Sequence, residues 1–162
     1  MIKIFYLLIL CVISGPLMAF EYSCKFEEVY LDGHTNNGFL LIKENNLRYE
    51  YFNSNLYGLV LLNDDLFYYD NKNLSNIKKT NQSKNLLKTL VDILNKYPNI
   101  EDSYEINDYK INIEKSNQIN FIYRLAISSK QLNMSIYFND CKKIMISDIF
   151  FQTKPVIKFY YQ

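Results

Sequence analysis

Tryptophan, glycine and proline are absent or scarce in this chain of 162 residues. Tryptophan is absent, and there are four glycines and three prolines. By contrast, fifteen tyrosines and eleven phenylalanines bring the aromatic content to 16%, within a hydrophobic fraction of 49%. This composition argues against intrinsic disorder and favours β-strands around a packed core. The length, with no internal repeat or flexible linker, fits one domain.

An excess of positive charge is also missing. Lys and Arg number 18 against 17 for Asp and Glu, and two of the basic residues are arginines, Arg48 and Arg124. Proteins that bind nucleic acid normally carry a basic excess or a basic patch. We therefore expect no nucleic-acid partner.

The residue patterns that mark catalytic or metal sites are lacking as well. The one histidine, His34, lies in a polar loop with no cysteine or carboxylate at metal-ligand spacing. There is no glycine-rich phosphate loop, no Gly-x-Ser-x-Gly elbow and no Cys-x-x-Cys pair. The acidic pairs Asp64-Asp65 and Glu101-Asp102 fall in predicted turns, where Asp is favoured for backbone reasons. We expect no enzyme activity, no catalytic residue, no metal and no cofactor.

The N-terminus has the features of an export signal. Lys3 precedes the apolar run Ile4–Ile13, and Ser14-Gly15-Pro16 breaks the run before Ala19. The run is shorter than the roughly 20 residues that a membrane-spanning helix needs. The sequence therefore predicts a signal peptide over residues 1–19, cleaved after Ala19, and one exported β domain over residues 20–162.

Cleavage leaves two cysteines in a compartment where disulfides can persist. Cys24 lies near the mature N-terminus and Cys141 lies in a late turn. A Cys24–Cys141 bridge and two unpaired thiols both remain open, since sequence alone cannot bring two Cα atoms within bridging distance.

The hydrophobic pattern of the mature chain predicts about nine or ten antiparallel strands and one helix. Turn signals recur every eight to twelve residues from Glu21 onward, which is typical of consecutive hairpins. In Ser83–Tyr97 the pattern changes to a helical period, with Ser83 as a candidate N-cap and Pro98 after the end. The apolar stripe of this helix consists of Leu86, Leu87, Leu90, Val91, Leu94 and Tyr97. The predicted strands are Tyr22–Leu31, Phe39–Ile42, Leu47–Phe52, Gly58–Leu62, Leu66–Tyr69, Tyr104/Ile106, Ile111/Ile113, Ile119–Ile127, Leu132–Phe138, Ile144/Ile146 and Val156–Tyr161.

Some strands are apolar on both faces, which is more than a thin core requires. Phe39–Ile42 and Leu59–Leu62 are the clearest cases. Either these are central strands covered on both sides, or one of their faces lines an apolar cavity for a lipid.

A series of short segments follows the export signal in a recognisable order, ending in a helix and a late strand. The segments are Phe26-Glu27-Glu28, Gly38–Lys43, Leu47-Arg48-Tyr49-Glu50-Tyr51, Leu59–Asp64, Phe67-Tyr68-Tyr69-Asp70, the helix from Ser83, and Leu132–Phe138 running into Ile146-Ser147-Asp148. In this order the chain resembles the outer-membrane lipoprotein carrier family (LolA-type).

The resemblance implies a mainly β fold, an unclosed antiparallel β-barrel with a helical lid over an apolar cavity. It implies a monomeric periplasmic chaperone that binds the acyl chains of lipoproteins. The implied partners are acylated lipoproteins, an inner-membrane ABC-type release complex and an outer-membrane acceptor. Two features differ from the family: its amphipathic helix before the first strand is missing, and its Lys-Arg-Pro turn reads Lys43-Glu44-Asn45.

We hypothesise that the helix stripe and the inward side chains of the sheet enclose the acyl site. Its members would be Leu41, Tyr49, Tyr51, Leu61, Phe67, Tyr69, Leu86, Leu87, Leu90 and Leu94. Arg48 resembles a downstream arginine of the family and is the candidate for a latch that holds the lid closed.

Two other functions fit the same sequence. A small outer-membrane β-barrel would also have alternating strands, aromatic residues and a signal peptide. A periplasmic binding module for another amphiphile would share the fold.

Overall fold

The computed structural model describes residues 21–52, 57–70, 78–80, 84–118 and 120–152. For residues 57, 69, 70 and 78–80 it describes the backbone alone. The predicted signal peptide, the N-cap Ser83, the residue Ile119 and the predicted strand Val156–Tyr161 lie outside these ranges.

The described chain forms one antiparallel sheet with the strand order β6-β5-β4-β3-β2-β1-β10-β9-β8-β7. Its strands are β1 (Glu21–Tyr30), β2 (Thr35–Lys43), β3 (Asn46–Tyr51), β4 (Tyr57–Leu62), β5 (Asp65–Asp70), β6 (Lys78–Thr80), β7 (Ser103–Ile106), β8 (Tyr109–Ser116), β9 (Phe121–Ser128) and β10 (Asn133–Lys143). Strands β1 and β10, the first and the last strand described, pair with each other in the middle of the sheet. The sheet is not closed, because β6 and β7 are its edges. The predicted mainly β fold with an open antiparallel sheet is confirmed.

Local chemistry explains the tight connections. Asn63 and Asp64 both have positive φ, which a two-residue hairpin loop requires and which Asn and Asp tolerate better than most residues.

Gly38 allows a close approach between neighbouring strands. A Cβ atom there would lie 2.6 Å from the Phe26 ring and collide with the Glu50 carbonyl oxygen. Gly38 therefore lets the Phe26 ring cross β2.

The helix α1 covers Lys84–Asn95. It ends two residues before the predicted boundary, and Lys96 and Tyr97 continue it as a tight turn that donates to the carbonyls of Ile93 and Leu94. Pro98, which cannot donate a backbone hydrogen bond, follows. The prediction of a helix in this segment is confirmed.

Apolar clusters lie on both faces of the sheet. We call the face that packs against α1 the inner face and the opposite one the outer face. The inner core combines five residues of α1 with sheet residues from most strands. A smaller outer cluster consists of Phe39, Leu41, Ile146 and Phe151.

The outer cluster forms where the C-terminal segment, which we define as residues 144–152, packs against β2. The prediction of a strand at Ile144 and Ile146 is wrong. Instead, residues 144–147 are irregular and Asp148–Phe151 form a 3-10 helix. The Ile146 N–H donates to Glu21 Oε2 at 2.5 Å, and its carbonyl accepts from Lys43 Nζ at 2.9 Å. Side chains thus satisfy the backbone groups that a neighbouring strand would otherwise pair.

A disulfide joins Cys24 in β1 to Cys141 in β10. Of the two alternatives that the sequence left open, the structure contains the bridge. Its two cysteines are 117 residues apart in the sequence.

Candidate functional site

The inner face beneath α1 brings together most of the predicted acyl-site residues. Leu87, Leu90 and Leu94 of α1 are buried against the sheet, and Leu86 packs at the margin of the same cluster. From the sheet, Tyr49, Tyr51 and Leu61 belong to this cluster. Seven of the ten predicted residues therefore share one apolar cluster.

Leu41 and Phe67 do not belong to this cluster, and their predicted inward orientation is wrong. Leu41 pairs with Arg48, Arg48 pairs with Val60, and Val60 pairs with Phe67. Residues directly opposite each other on paired strands share a face, and Leu41 packs with Ile146 on the outer face.

The pattern misled because neighbouring positions of β2 are apolar on both faces, so alternation cannot identify the inner side. Tyr69 follows Phe67 in β5, and its side chain is outside the described set. The C-terminal segment covers the outer face of β2, which accounts for part of the surplus apolar surface.

Arg48 holds the C-terminal segment and does not lie beneath α1. Its side chain, 1% exposed, pairs with Glu50 on the outer face. Its Nη1 donates to the carbonyl oxygens of Phe150 at 2.6 Å and Gln152 at 3.2 Å. The assignment of Arg48 as a lid latch is therefore wrong, because the carbonyls that it binds belong to the segment on the opposite face.

Two polar contacts hold α1 to the turns at one end of the sheet. Lys88 Nζ lies 2.6 Å from Asp64 Oδ1 in the β4–β5 turn, and Asn95 Nδ2 donates to the Glu44 carbonyl in the β2–β3 turn at 2.6 Å. The hydrogen bond with Lys88 lowers the pKa of Asp64, and the same contact raises the pKa of Lys88. Among the described residues, no backbone hydrogen bond joins α1 to a strand. Within the described residues, the polar contacts of α1 at this end are made by its side chains.

One cleft along α1 is too narrow for a ligand in this conformation. A narrow cleft between α1 and the β7–β8 hairpin is lined by Leu86, Thr89, Ile106 and Tyr109, among others, and holds no volume that a water molecule could occupy. Entry of an acyl chain at this side would require α1 to move.

A buried carboxylate with tyrosine partners lies on the inner face, toward the opposite end from the tethers of α1. Glu28 is 3% exposed. Its Oε1 accepts from Tyr49 at 2.8 Å and Tyr51 at 3.1 Å, and its Oε2 accepts from Tyr30 at 2.9 Å and, more weakly, from Asn36 at 3.4 Å. Burial, reinforced by the Glu28 carboxylate, raises the pKa of Tyr49 well above its usual value. The cluster places a buried carboxyl group among aromatic rings.

Glu28 was not among the site residues predicted from the sequence. Read alone, Glu27-Glu28 resembles an exposed charged pair, but Cys24, Phe26 and Glu28 alternate in β1 and are all buried. The period of two was the available signal, because it places Glu28 on the same face as Phe26.

A wider open groove of about 370 Å³ crosses β1, β10, β9 and β8 near their ends. Tyr30, Leu31, Ile127 and Met134 are among its lining residues, and none of the predicted acyl-site residues lines it. Tyr30 connects this groove to Glu28.

Among the described residues, no group of three or more His, Cys, Asp or Glu side chains is arranged to hold a metal ion. In the same part of the chain, the helices are too short or too polar to cross a membrane.

Comparison of the sequence with protein-family models and with curated proteins finds no match. Function is therefore inferred from the geometry of the inner face.

Proposed function

We propose that this protein is a periplasmic carrier that binds the acyl chains of lipoproteins beneath α1. It would receive them from an inner-membrane ABC-type release complex and deliver them to an outer-membrane acceptor. The observation that carries the proposal is an open sheet whose apolar inner face is covered by an amphipathic helix, α1, which makes no backbone hydrogen bond to a strand within the described residues.

The inner face supplies the type of surface that an acyl chain needs. Leu87, Leu90 and Leu94 belong to one cluster with Leu61 and the tyrosines of β3. Displacing α1 would expose apolar surface on both the helix and the sheet. An inserted acyl chain would cover that surface again, and each methylene buried is worth about 0.8 kcal/mol. Such contacts are non-directional, so they tolerate varied chains.

Release requires that α1 can move at low cost. The Lys88–Asp64 pair is exposed to solvent, and exposed ion pairs contribute little to stability. The Asn95–Glu44 contact is one hydrogen bond, worth about 1 kcal/mol. Opening therefore depends mainly on the apolar contacts, which a bound acyl chain replaces.

Other observations support an exported carrier over the alternatives. The Cys24–Cys141 disulfide is compatible with an oxidising compartment. An open sheet covered by a helix favours a carrier over a closed membrane barrel. A binding module for another amphiphile would use the same surface. Mass spectrometry of lipids retained by protein purified without detergent separates that alternative from a lipoprotein carrier.

The decisive variant is Leu90→Glu, which places a carboxylate at a position that is 5% exposed. If α1 is a lid, the variant keeps its circular dichroism spectrum, because the helix can move away from the sheet and hydrate the carboxylate. Uptake of a fluorescent fatty acid or a lipopeptide is then lost. Lys96→Glu is the control, because Lys96 is an exposed residue in the turn that continues the helix. It should bind like the wild type.

Two results contradict the proposal. If Leu90→Glu unfolds the protein, α1 is a core helix, since an unpaired buried carboxylate costs several kcal/mol. A folded Leu90→Glu protein that binds acyl chains with unchanged affinity would show that they do not bind beneath α1.

A further inference from the structure

The C-terminal segment presents apolar side chains to solvent. Five large hydrophobic residues of the described chain are exposed, and three of them lie in this segment: Ile144, Met145 and Ile149. Met145 is 93% exposed and Ile149 is 53% exposed. Single exposed apolar residues need no explanation, whereas a concentration of them in one short segment points to an interaction site. We call these three residues the apolar patch.

Contacts with the sheet fix the segment that carries the apolar patch. Ile146 and Phe151 are buried in the outer cluster. The N–H and the carbonyl of Ile146 are hydrogen-bonded to Glu21 and Lys43. Arg48 donates to two other carbonyl oxygens of the segment. Turning the patch residues toward the core would break these contacts, so the patch remains at the surface.

Two lysines adjoin the apolar patch. Lys142 and Lys143 end β10 directly before Ile144, and both are exposed. They pair with Ser23 and Tyr22 at the start of β1. Because successive side chains of a strand point to opposite faces, the two lysine side chains leave the strand on opposite faces. Positive charge thus flanks the strand end from which the segment continues.

The carboxylates next to these lysines have other partners. Asp140 Oδ2 lies 2.6 Å from Lys25 Nζ. Lys43 Nζ lies 2.8 Å from Asp148 Oδ1 and 3.6 Å from Glu21 Oε1. The lysines that end β10 are therefore available to bind an anion outside the protein.

We propose that the apolar patch and the two lysines that end β10 dock the protein on a phospholipid bilayer. Met145 and Ile149 enter the apolar side of the interface, and Lys142 and Lys143 bind lipid phosphates. Lysines beside apolar residues suit this interface, because the ammonium group reaches the head groups while its methylenes stay with the apolar side chains. Docking goes beyond the proposed carrier function, since none of the predicted acyl-site residues takes part in it.

The size of the apolar patch favours a bilayer over a protein partner. A stable protein interface buries about 1,200–2,000 Å² around a well-packed apolar centre, which three side chains do not supply. A bilayer requires less apolar surface, because the burial of a few side chains and the attraction of a few lysines add up to reversible binding.

Vesicle flotation tests the docking. Vesicles of equal parts of phosphatidylglycerol and phosphatidylcholine should bind the wild type more tightly than vesicles of phosphatidylcholine alone. Met145→Gln combined with Ile149→Gln should weaken binding at least about tenfold, because polar side chains no longer enter the interface. Lys142→Gln combined with Lys143→Gln should weaken binding to the anionic vesicles about fivefold for each lysine.

Leu31 provides a matched control. It is 84% exposed and follows β1 at the end of that strand opposite to the apolar patch. Leu31→Gln should bind vesicles like the wild type.

A fluorescent reporter locates the contact with the bilayer. The chain has no tryptophan, so Met145→Trp introduces a single fluorophore in the apolar patch and Leu31→Trp introduces one at the opposite end of β1. Adding vesicles should shift the emission of Met145→Trp to shorter wavelength and leave that of Leu31→Trp unchanged.

Docking and acyl-chain binding are separable in the same set of variants. Leu90→Glu should bind vesicles like the wild type. Met145→Gln combined with Ile149→Gln should take up a fluorescent fatty acid like the wild type. A failure beneath α1 and a failure of docking therefore give different results.

Three results would overturn the inference. A wild type that floats with neither kind of vesicle would exclude bilayer docking. Unchanged flotation of the Met145→Gln and Ile149→Gln combination would place the bilayer contact elsewhere. A vesicle-free dimer in analytical ultracentrifugation that this combination dissociates would identify the patch as an interface between two copies of the chain.

Discussion

Replacing Arg48 by methionine tests the two-faced architecture most directly. Arg48 and Glu50 are each 1% exposed and form an ion pair on the outer face. Arg48 also donates to the carbonyl oxygens of Phe150 and Gln152. Arg48→Met keeps a long apolar side chain in place and removes every one of these donors.

The expected loss of stability is large. Removing one partner of a buried ion pair typically costs about 3–5 kcal/mol. The two carbonyls of the C-terminal segment lose hydrogen bonds that are worth about 0.5–1.5 kcal/mol each. Part of this loss is already included in the cost of removing the buried ion-pair partner. A total loss of about 4 kcal/mol corresponds to a fall in Tm of roughly 8–16 °C for a chain of this size.

Urea unfolding measures the loss, and hydrogen exchange locates it. The amides of Phe150 and Gln152, which donate to Ser147 and Ile149, should lose protection, whereas the amides of α1 should retain theirs. Arg124→Met is the matched control. Arg124 pairs with Glu114 at 2.6 Å in a partly exposed setting and also donates to Ser135 Oγ, so its replacement should cost less than the replacement of the buried Arg48.

A second variant separates the buried charge from the lost packing. Arg48→Met combined with Glu50→Met should recover most of the stability, because apolar side chains often replace a buried ion pair without loss. A cost below about 1 kcal/mol for Arg48→Met, or a loss of protection in α1 instead of the C-terminal segment, would refute the reasoning.

Three further predictions concern other parts of the fold. Cys24→Ala combined with Cys141→Ala should lower the free energy of unfolding by about 2–5 kcal/mol in urea, because the bridge closes a long loop; an unchanged midpoint would contradict this. Tyr49→Phe should cost about 1 kcal/mol at neutral pH through one lost hydrogen bond. Because folding raises the pKa of Tyr49, its contribution is full below the unfolded-state pKa of about 10 and declines as pH rises toward the folded-state value, so the variant should lose less stability under alkaline titration than the wild type. Lys88→Glu should repel Asp64, speed fluorescent fatty-acid uptake in stopped flow and leave circular dichroism unchanged. That acceleration should shrink in about 1 M salt, where exposed charges are screened.

The elements of the fold were largely visible in the sequence, because each element has a local period. The stripe of Leu87, Leu90 and Leu94 follows a helical turn, and the segment folds as α1. In β3, Tyr49 and Tyr51 alternate with Arg48, and the structure places them on opposite faces. The short edge strand β6 has no alternating pattern and forms by pairing with β5.

The sequence could not predict the face of the sheet on which an apolar residue lies where the adjacent residues of the strand are also apolar. Leu40 and Leu41 look equivalent in sequence, yet Leu40 belongs to the inner cluster and Leu41 to the outer one. The pairing of Leu41 with Arg48 decides this, and pairing is a relation between two strands that no single segment contains.

The partners of the buried charges were also decided by the tertiary structure. Glu28 finds Tyr49 and Tyr51 across two strand pairings, and Arg48 finds carbonyls more than a hundred positions away. The sequence by itself determined that the chain has amphipathic strands and one amphipathic helix, since period and propensity act within a few residues. The tertiary structure decided which faces meet, that Cys24 bonds to Cys141, and that the C-terminal segment covers the outer face. The disulfide and the contacts of the C-terminal segment join residues that are distant in the sequence, and the pairing of β10 with β1 brings them together.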